Sequence, residues 1–197
     1  MLEATTRRGF FGGAATAALG LVVPGPAEGS TPPEPILDAL QEGTPEARLR
    51  RLGIELPPAP RPVATYVTAV RVGNVLYVAG HTPRLPDGSP AYQGKVGETF
   101  TVEQGRAAAR SAGLNVLSTV RSALGSLDRV RRLVRALGMV NAVPGFTDHP
   151  QVINGFSDLV VEVFGPEAGR GTRAAVGMGS LPGGMAVEIE TFWEIRP

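Results

Sequence analysis

The apolar residues of this chain recur with two periods, and each change of period marks a new element. Residues 63–70 and 75–79 are short runs rich in β-branched and aromatic residues on either side of Gly73-Asn74. That combination predicts two antiparallel strands joined by a tight hairpin turn. Gly80-His81-Thr82-Pro83 ends the second strand, and Pro86-Asp87-Gly88 marks a turn in the polar loop beyond it. At Thr101-Val102-Glu103-Gln104 the period changes to that of a helix. These four residues form a capping box, and Ala108, Ala112, Val116 and Val120 follow at every fourth position. The pattern predicts a helix to about Leu124, with Gly125 as its terminator. Residues 130–143 read as a third strand and Pro144-Gly145-Phe146-Thr147-Asp148 as a turn. A second helix is predicted over 149–164, with Val152, Phe156, Leu159 and Val163 along one stripe. A glycine-rich loop over 165–172 follows, then two closing strands that carry Arg173 and Glu188. The Leu181-Pro182-Gly183-Gly184 turn predicts that the last strand folds back beside the one before it. The order β-β-α-β-α-β-β is an α+β layout, with two helices against one face of a mixed sheet.

Such a sheet has a second face. Ala174, Val176, Val187, Ile189, Phe192 and Trp193 supply apolar side chains to both sides of the closing strands. A partner chain is expected to cover the face that the helices leave bare.

Ahead of this domain the patterning is different. Residues 1–30 have the three parts of an export signal: Arg7-Arg8 before Phe10-Phe11, an uncharged stretch from Gly12 to Val23, and a small-residue exit through Pro24 to Ser30. The paired arginines resemble a twin-arginine signal, so a periplasmic or secreted location is expected, with a cytoplasmic extension as the alternative. The apolar stretch is shorter than the ~20 residues of a membrane span, so no stable membrane anchor is expected. Residues 31–60 are proline-rich and hold one short helix, with Thr44 as its cap, Pro45 at its first position and Glu46 at the positive end of its dipole. Pro57-Pro58-Ala59-Pro60 reads as an extended connector, and the whole segment as an appendage to the domain at 61–197.

Composition removes several kinds of chemistry. The chain of 197 residues has no cysteine, which excludes disulfides, thiolate nucleophiles and Cys-based metal sites. His81 and His149 are its two histidines, so a multi-histidine metal site is impossible, and no metal is expected. The net charge of +1 gives no general attraction to nucleic acid. Arg129, Arg131, Arg132 and Arg135 form a local basic run. With no aromatic platform among them, they read as a solvated strand edge rather than an RNA-binding patch.

What chemistry remains centres on Arg173 and Glu188. A guanidinium is always charged and binds carboxylates through two parallel hydrogen bonds, so Arg173 suits the anchoring of a small acid. A nearby Glu188 could orient a water or move a proton. The alternative is a cross-strand ion pair from Arg173 to Glu188 or Glu190.

The ordered set Tyr66-Val67, Val78-Ala79-Gly80, Val152-Ile153-Asn154-Gly155, Arg173-Ala174-Ala175-Val176, Leu181-Pro182 and Val187-Glu188-Ile189-Glu190 resembles the RidA/YjgF family, in its YjgF/chorismate-mutase-like, "endoribonuclease L-PSP-like" branch. The resemblance covers residues 62–195 and implies a chorismate-mutase-like homotrimer with ligand clefts between subunits. It implies a cofactor-free deaminase that hydrolyses 2-imino and 2-enamino acids to 2-keto acids and ammonia. By the same resemblance Arg173 grips the substrate carboxylate, Glu188 orients the attacking water, and Tyr66, Gly80 and Asn154 line the cleft. His81 stands where many relatives carry Gln, and reads as a hydrogen-bonding residue at the cleft rim. A non-catalytic trimeric module that binds a small carboxylic acid would need the same arginine. Endoribonuclease and chorismate mutase activities follow from the family name and the fold by analogy only.

Overall fold

Thr44 caps the first helix of the computed structural model, which describes residues 43–85 and 87–197, by accepting from the backbone N–H of Ala47. The signal-like segment 1–30 and the linker as far as residue 42 lie outside the described residues. Helix α1 spans Pro45–Arg51, as its cap and proline predict. The Thr101 capping box opens α2 (Val102–Leu124), and Gly125, with φ 83°, ends it in the left-handed conformation. Helix α3 (His149–Gly169) runs past the expected end at Phe164. Gly165 breaks it with φ 82° and ψ 168°, and Pro166 starts a further turn, so the expected loop over 165–172 shrinks to two residues. The Arg48 guanidinium of α1 donates to the Val163 carbonyl at this break, at 3.4 Å.

Among the described residues five strands make one sheet: β1 (Ala69–Val72), β2 (Val75–His81), β3 (Val130–Asn141), β4 (Thr172–Met178) and β5 (Val187–Ile195), in the order β1-β2-β5-β3-β4. The α+β layout with α2 and α3 on one face is as the pattern implies. Two expectations about the strands need correction. The first strand begins at Ala69 rather than residue 63, because a tight turn from the Tyr66 N–H to the Ala64 carbonyl bends the chain away from the sheet. The last two strands are not neighbours. β4 returns from α3 to lie parallel to β3, and β5 inserts between β2 and β3, antiparallel to both. β3 has a strand on both sides only from Arg135 onward; Arg131 and Arg132 precede the β4 pairing and lie exposed along an open strand edge, as their pattern implied. Arg131 also pairs with Glu194 at 3.2 Å, and Arg135 lies over the Phe192 ring.

The core lies between the sheet and the two long helices. Val116, Val120, Phe156, Leu159 and Val163 meet Leu133, Ile189, Trp193 and Ile195, all buried. At about 1.5–3 kcal/mol for each large side chain removed from water, this layer is the main stabilising term. The opposite sheet face carries a cross-strand row of Val70, Tyr77, Phe192 and Arg135, with Val176 and Met178 near the far edge. No described element covers these residues, which is the bare face that the strand pattern implied.

Candidate functional site

An extra residue in β2 shapes the site. Between Val78, which faces Thr191, and His81, which faces Ile189, the register slips, so Ala79 and Gly80 share one position of β5. A bulge of this kind re-aims the groups around it. Here it brings Gly80 directly under the Glu188 side chain, where a β-carbon on residue 80 would meet Oε1 at 1.9 Å. Only glycine fits. Burial, and secondarily the like charge of Glu190, hold the Glu188 carboxyl above its ordinary value. A carboxyl tuned in this direction is better matched to proton transfer near neutral pH.

Glu188 opens into a cavity of about 620 Å³, within the usual size of small-molecule sites. Tyr66, Gly80 and His81 share it with Glu188, so four of the six residues singled out in the sequence come together. His81 is 4% exposed. Its Nδ1 lies 2.7 Å from the Ala79 carbonyl, which can only accept, so Nδ1 carries the proton. Nε2 then accepts from the Thr119 hydroxyl, also at 2.7 Å. Burial holds the ring below its usual pKa, with the Arg84 charge adding to the effect and the Ala79 hydrogen bond opposing it. His81 is thus a neutral, hydrogen-bonded ring in the cavity lining, tied inward to α2.

Arg173 and Asn154 form a second group elsewhere. The Arg173 guanidinium donates to Asn154 Oδ1 at 2.8 Å and to Ser157 Oγ at 2.9 Å, both on α3. In register Arg173 aligns with buried Ala136, on the helix side of edge strand β4. Glu188 aligns with Met139, which aligns in turn with Val176, on the open face. At ~4.8 Å per strand spacing, two spacings across β3 and the thickness of the sheet separate the two groups. The cross-strand ion pair from Arg173 to Glu188 or Glu190 is therefore ruled out, and within one chain no small acid can touch both residues.

One wall of the cavity comes from Pro60, the end of the segment that the pattern marks as an appendage, and from the first residues of the domain beyond it. Glu46 at the start of α1 accepts from the Leu127 N–H, its own N–H donates to Asp128, and it pairs with Arg121. Further along, the Ser118 hydroxyl donates to the Pro57 carbonyl. These ties lay Pro60, Arg61 and Val63 over the mouth of the cavity. Arg84, just after the β2 ending, completes that side. Neither arginine stands out in the sequence, although Arg61 follows the polyproline connector and Arg84 follows Gly80-His81-Thr82-Pro83. On the other side, Gln93 Nε2 donates to the Gly183 carbonyl, which ties the loop before α2 to the Leu181-Pro182-Gly183-Gly184 turn. Among the described residues no three His, Asp or Glu side chains cluster closely enough to hold a metal ion.

With this geometry in view, comparison with known proteins is informative. Residues 46–189 match the family described as YjgF/chorismate mutase-like, a description that also names a candidate endoribonuclease activity. Protein TCP17 of Trypanosoma cruzi is 43% identical over 160 residues, which span 81% of this chain and 99% of that protein. The crystal structure of Atu1372 from Agrobacterium tumefaciens, a protein of unknown function, is similar at 40% identity and a TM-score of 0.72, over 82% of this chain and 99% of that one. RidA from an Antarctic Psychrobacter is similar at 27% identity and a TM-score of 0.50, over 70% of this chain and 94% of that one.

Proposed function

This chain belongs to the YjgF/chorismate mutase-like (RidA/YjgF) family, and from that premise we propose that it hydrolyses small 2-imino and 2-enamino acids to 2-keto acids and ammonia. The observation that carries the reading is the poised Glu188 carboxyl over Gly80, in a cavity of small-molecule size. The anchor for the substrate 2-carboxylate is Arg173 from a second copy of the chain. Three copies would cover the bare sheet faces and bring the β4 edge of one against the cavity of the next.

In this arrangement Arg173 of one copy grips the substrate carboxylate and Glu188 of its neighbour holds a water. The water oxygen bonds to C2, its proton passes to Glu188, and the C=N electron pair goes to nitrogen. Glu188 returns that proton to nitrogen. In the resulting carbinolamine it then takes the hydroxyl proton and passes it to the amine nitrogen, as the C=O bond forms and the C–N bond breaks to release ammonia. One water is consumed, the oxidation state of C2 is unchanged, and no cofactor is required. Imines are intrinsically reactive, so positioning and one proton acceptor suffice. The endoribonuclease reading has less support, since both His81 nitrogens are engaged inside the protein.

The test is the loss of a 2-imino acid generated in situ by an amino-acid oxidase, with the purified full chain and its Arg173→Ala variant. We expect acceleration over buffer, and a fall in kcat/KM of about tenfold to a hundredfold in the variant, the usual worth of a charge-assisted hydrogen-bond anchor. No acceleration from an assembled oligomer would sink the proposal and leave a carboxylate-binding module as the better reading.

A further inference from the structure

Two guanidinium groups in the cavity have no part in the reaction just described. Arg61 lines it from the arm and Arg84 from the loop just after β2. Both also line a smaller adjoining hollow of about 340 Å³, so they stand on the partition between the two. Their supports are built in. The Arg84 backbone is bridged to Pro90, its carbonyl accepts from Ser111 Oγ at 3.2 Å, and its Nη1 donates to the Gly88 carbonyl at 2.9 Å. Arg61 follows a proline run that Ser118 holds against α2.

Among the described residues neither cation is in an ion pair; the four pairs found join Arg106 to Asp158, Arg110 to Glu162, Arg121 to Glu46 and Arg131 to Glu194. Among the described residues Glu188 is the one carboxylate that lines the main cavity; Asp87 lines the adjoining hollow, where its Oδ1 accepts from the Ser89 N–H and hydroxyl. A neutral side chain would leave them facing it unpaired, whereas a terminal carboxylate would satisfy a planar, bidentate donor.

We propose that this cavity selects dicarboxylic substrates, with Arg84 and Arg61 holding the distal carboxylate of a 2-imino acid whose 2-carboxylate lies on Arg173 of another copy. The inference rests on the hydrolase reading for its substrate, though not for the anion subsite itself.

The full chain would be assayed against 2-iminoglutarate, made in situ from glutamate by a glutamate oxidase, and against the leucine-derived imine. Wild type should favour iminoglutarate in kcat/KM. The ratio of the two should fall about tenfold or more in Arg84→Gln and further in the double variant with Arg61→Gln, since each removes a charge-assisted hydrogen bond. Arg61 is exposed, so Arg61→Gln alone keeps the test open should Arg84→Gln fail to fold. Calorimetry with glutarate and with butyrate gives a readout independent of turnover. If neither imine is hydrolysed but glutarate binds better than butyrate, and does so through these arginines, the hydrolase reading fails and the subsite stands. Equal treatment of the diacid and monoacid by wild type, or a preference that survives loss of both guanidinium groups, overturns the proposal.

Discussion

Replacing Glu188 by Gln should lower kcat about a hundredfold or more, the range expected when a positioned proton acceptor is removed. The amide keeps the shape above Gly80 but cannot take a proton from the attacking water. In the wild-type protein the same dependence should appear as an acid limb in the rate profile, displaced above the ordinary carboxylate range because burial raises the group. The stability of the variant should move the opposite way. A carboxyl whose folded pKa is raised favours folding most below its unfolded pKa, and that contribution is lost as pH rises through the folded pKa. At neutral pH the wild type therefore carries a destabilising charge that Gln lacks, and Glu188→Gln should melt higher. The difference should shrink as pH falls through the raised pKa toward the ordinary one. A variant that turns over at the wild-type rate would remove Glu188 from the reaction, and one that melts lower at neutral pH would overturn the buried-charge argument. Mixed oligomers add a geometric control. Arg173→Ala and Glu188→Gln chains, each impaired alone, should recover activity when refolded together, because one supplies the anchor and the other the acceptor. A site contained in one chain would stay inactive in every mixture.

Gly155→Ala should be the most damaging small substitution in the fold. A β-carbon at residue 155 of α3 would lie 2.0 Å from the Arg106 carbonyl oxygen and 2.8 Å from its carbon, both backbone atoms of α2. Neither can rotate aside, so the two helices must separate, which also loosens the close packing of Leu159 and Phe156 on Gly113. Overpacking of this kind costs about 3 kcal/mol. In a domain of this size that lowers Tm by about 10 °C, measurable by thermal unfolding. An unchanged Tm would mean that the helices have slack that the packing does not show. Gly138→Ala would be softer, because its nearest neighbours are side-chain atoms of Ile153.

The elements with local signals were legible in the sequence. The Thr101 capping box, the Gly73 hairpin, the Thr44 cap and the Phe156-Leu159-Val163 stripe all depend on residues a few positions apart, and each is found where the pattern placed it. Strand neighbours are decided by longer-range contacts. Leu181-Pro182-Gly183-Gly184 does reverse the chain, but a turn does not say which strand receives the returning one. The strand-helix-strand run from residue 130 to 178 held the missing signal, because such a unit usually returns parallel to its first strand. That pairing fills the place beside β3 on one side and leaves β5 the other. The site was legible for a similar reason in part. Gly80 and Glu188 meet through a bulge in adjacent strands, whereas the separation of Arg173 from them follows from sheet order alone. Arg61 was hidden because an arm reaches the cavity only through ties such as Glu46 to Leu127 and Ser118 to Pro57.

That arm gives the molecule a division of labour between rigid and replaceable parts. Gly80 and Glu188 are held by the β2–β5 ladder and by the core beneath it, so a change there disturbs folding and chemistry together. Residues 60–66 make no such ladder, and most of their side chains face solvent or the cavity. A new residue in that stretch alters what the mouth admits while the strands keep their register. Directed evolution aimed at other substrates should therefore find its tolerated changes along the arm, and few on the sheet below it.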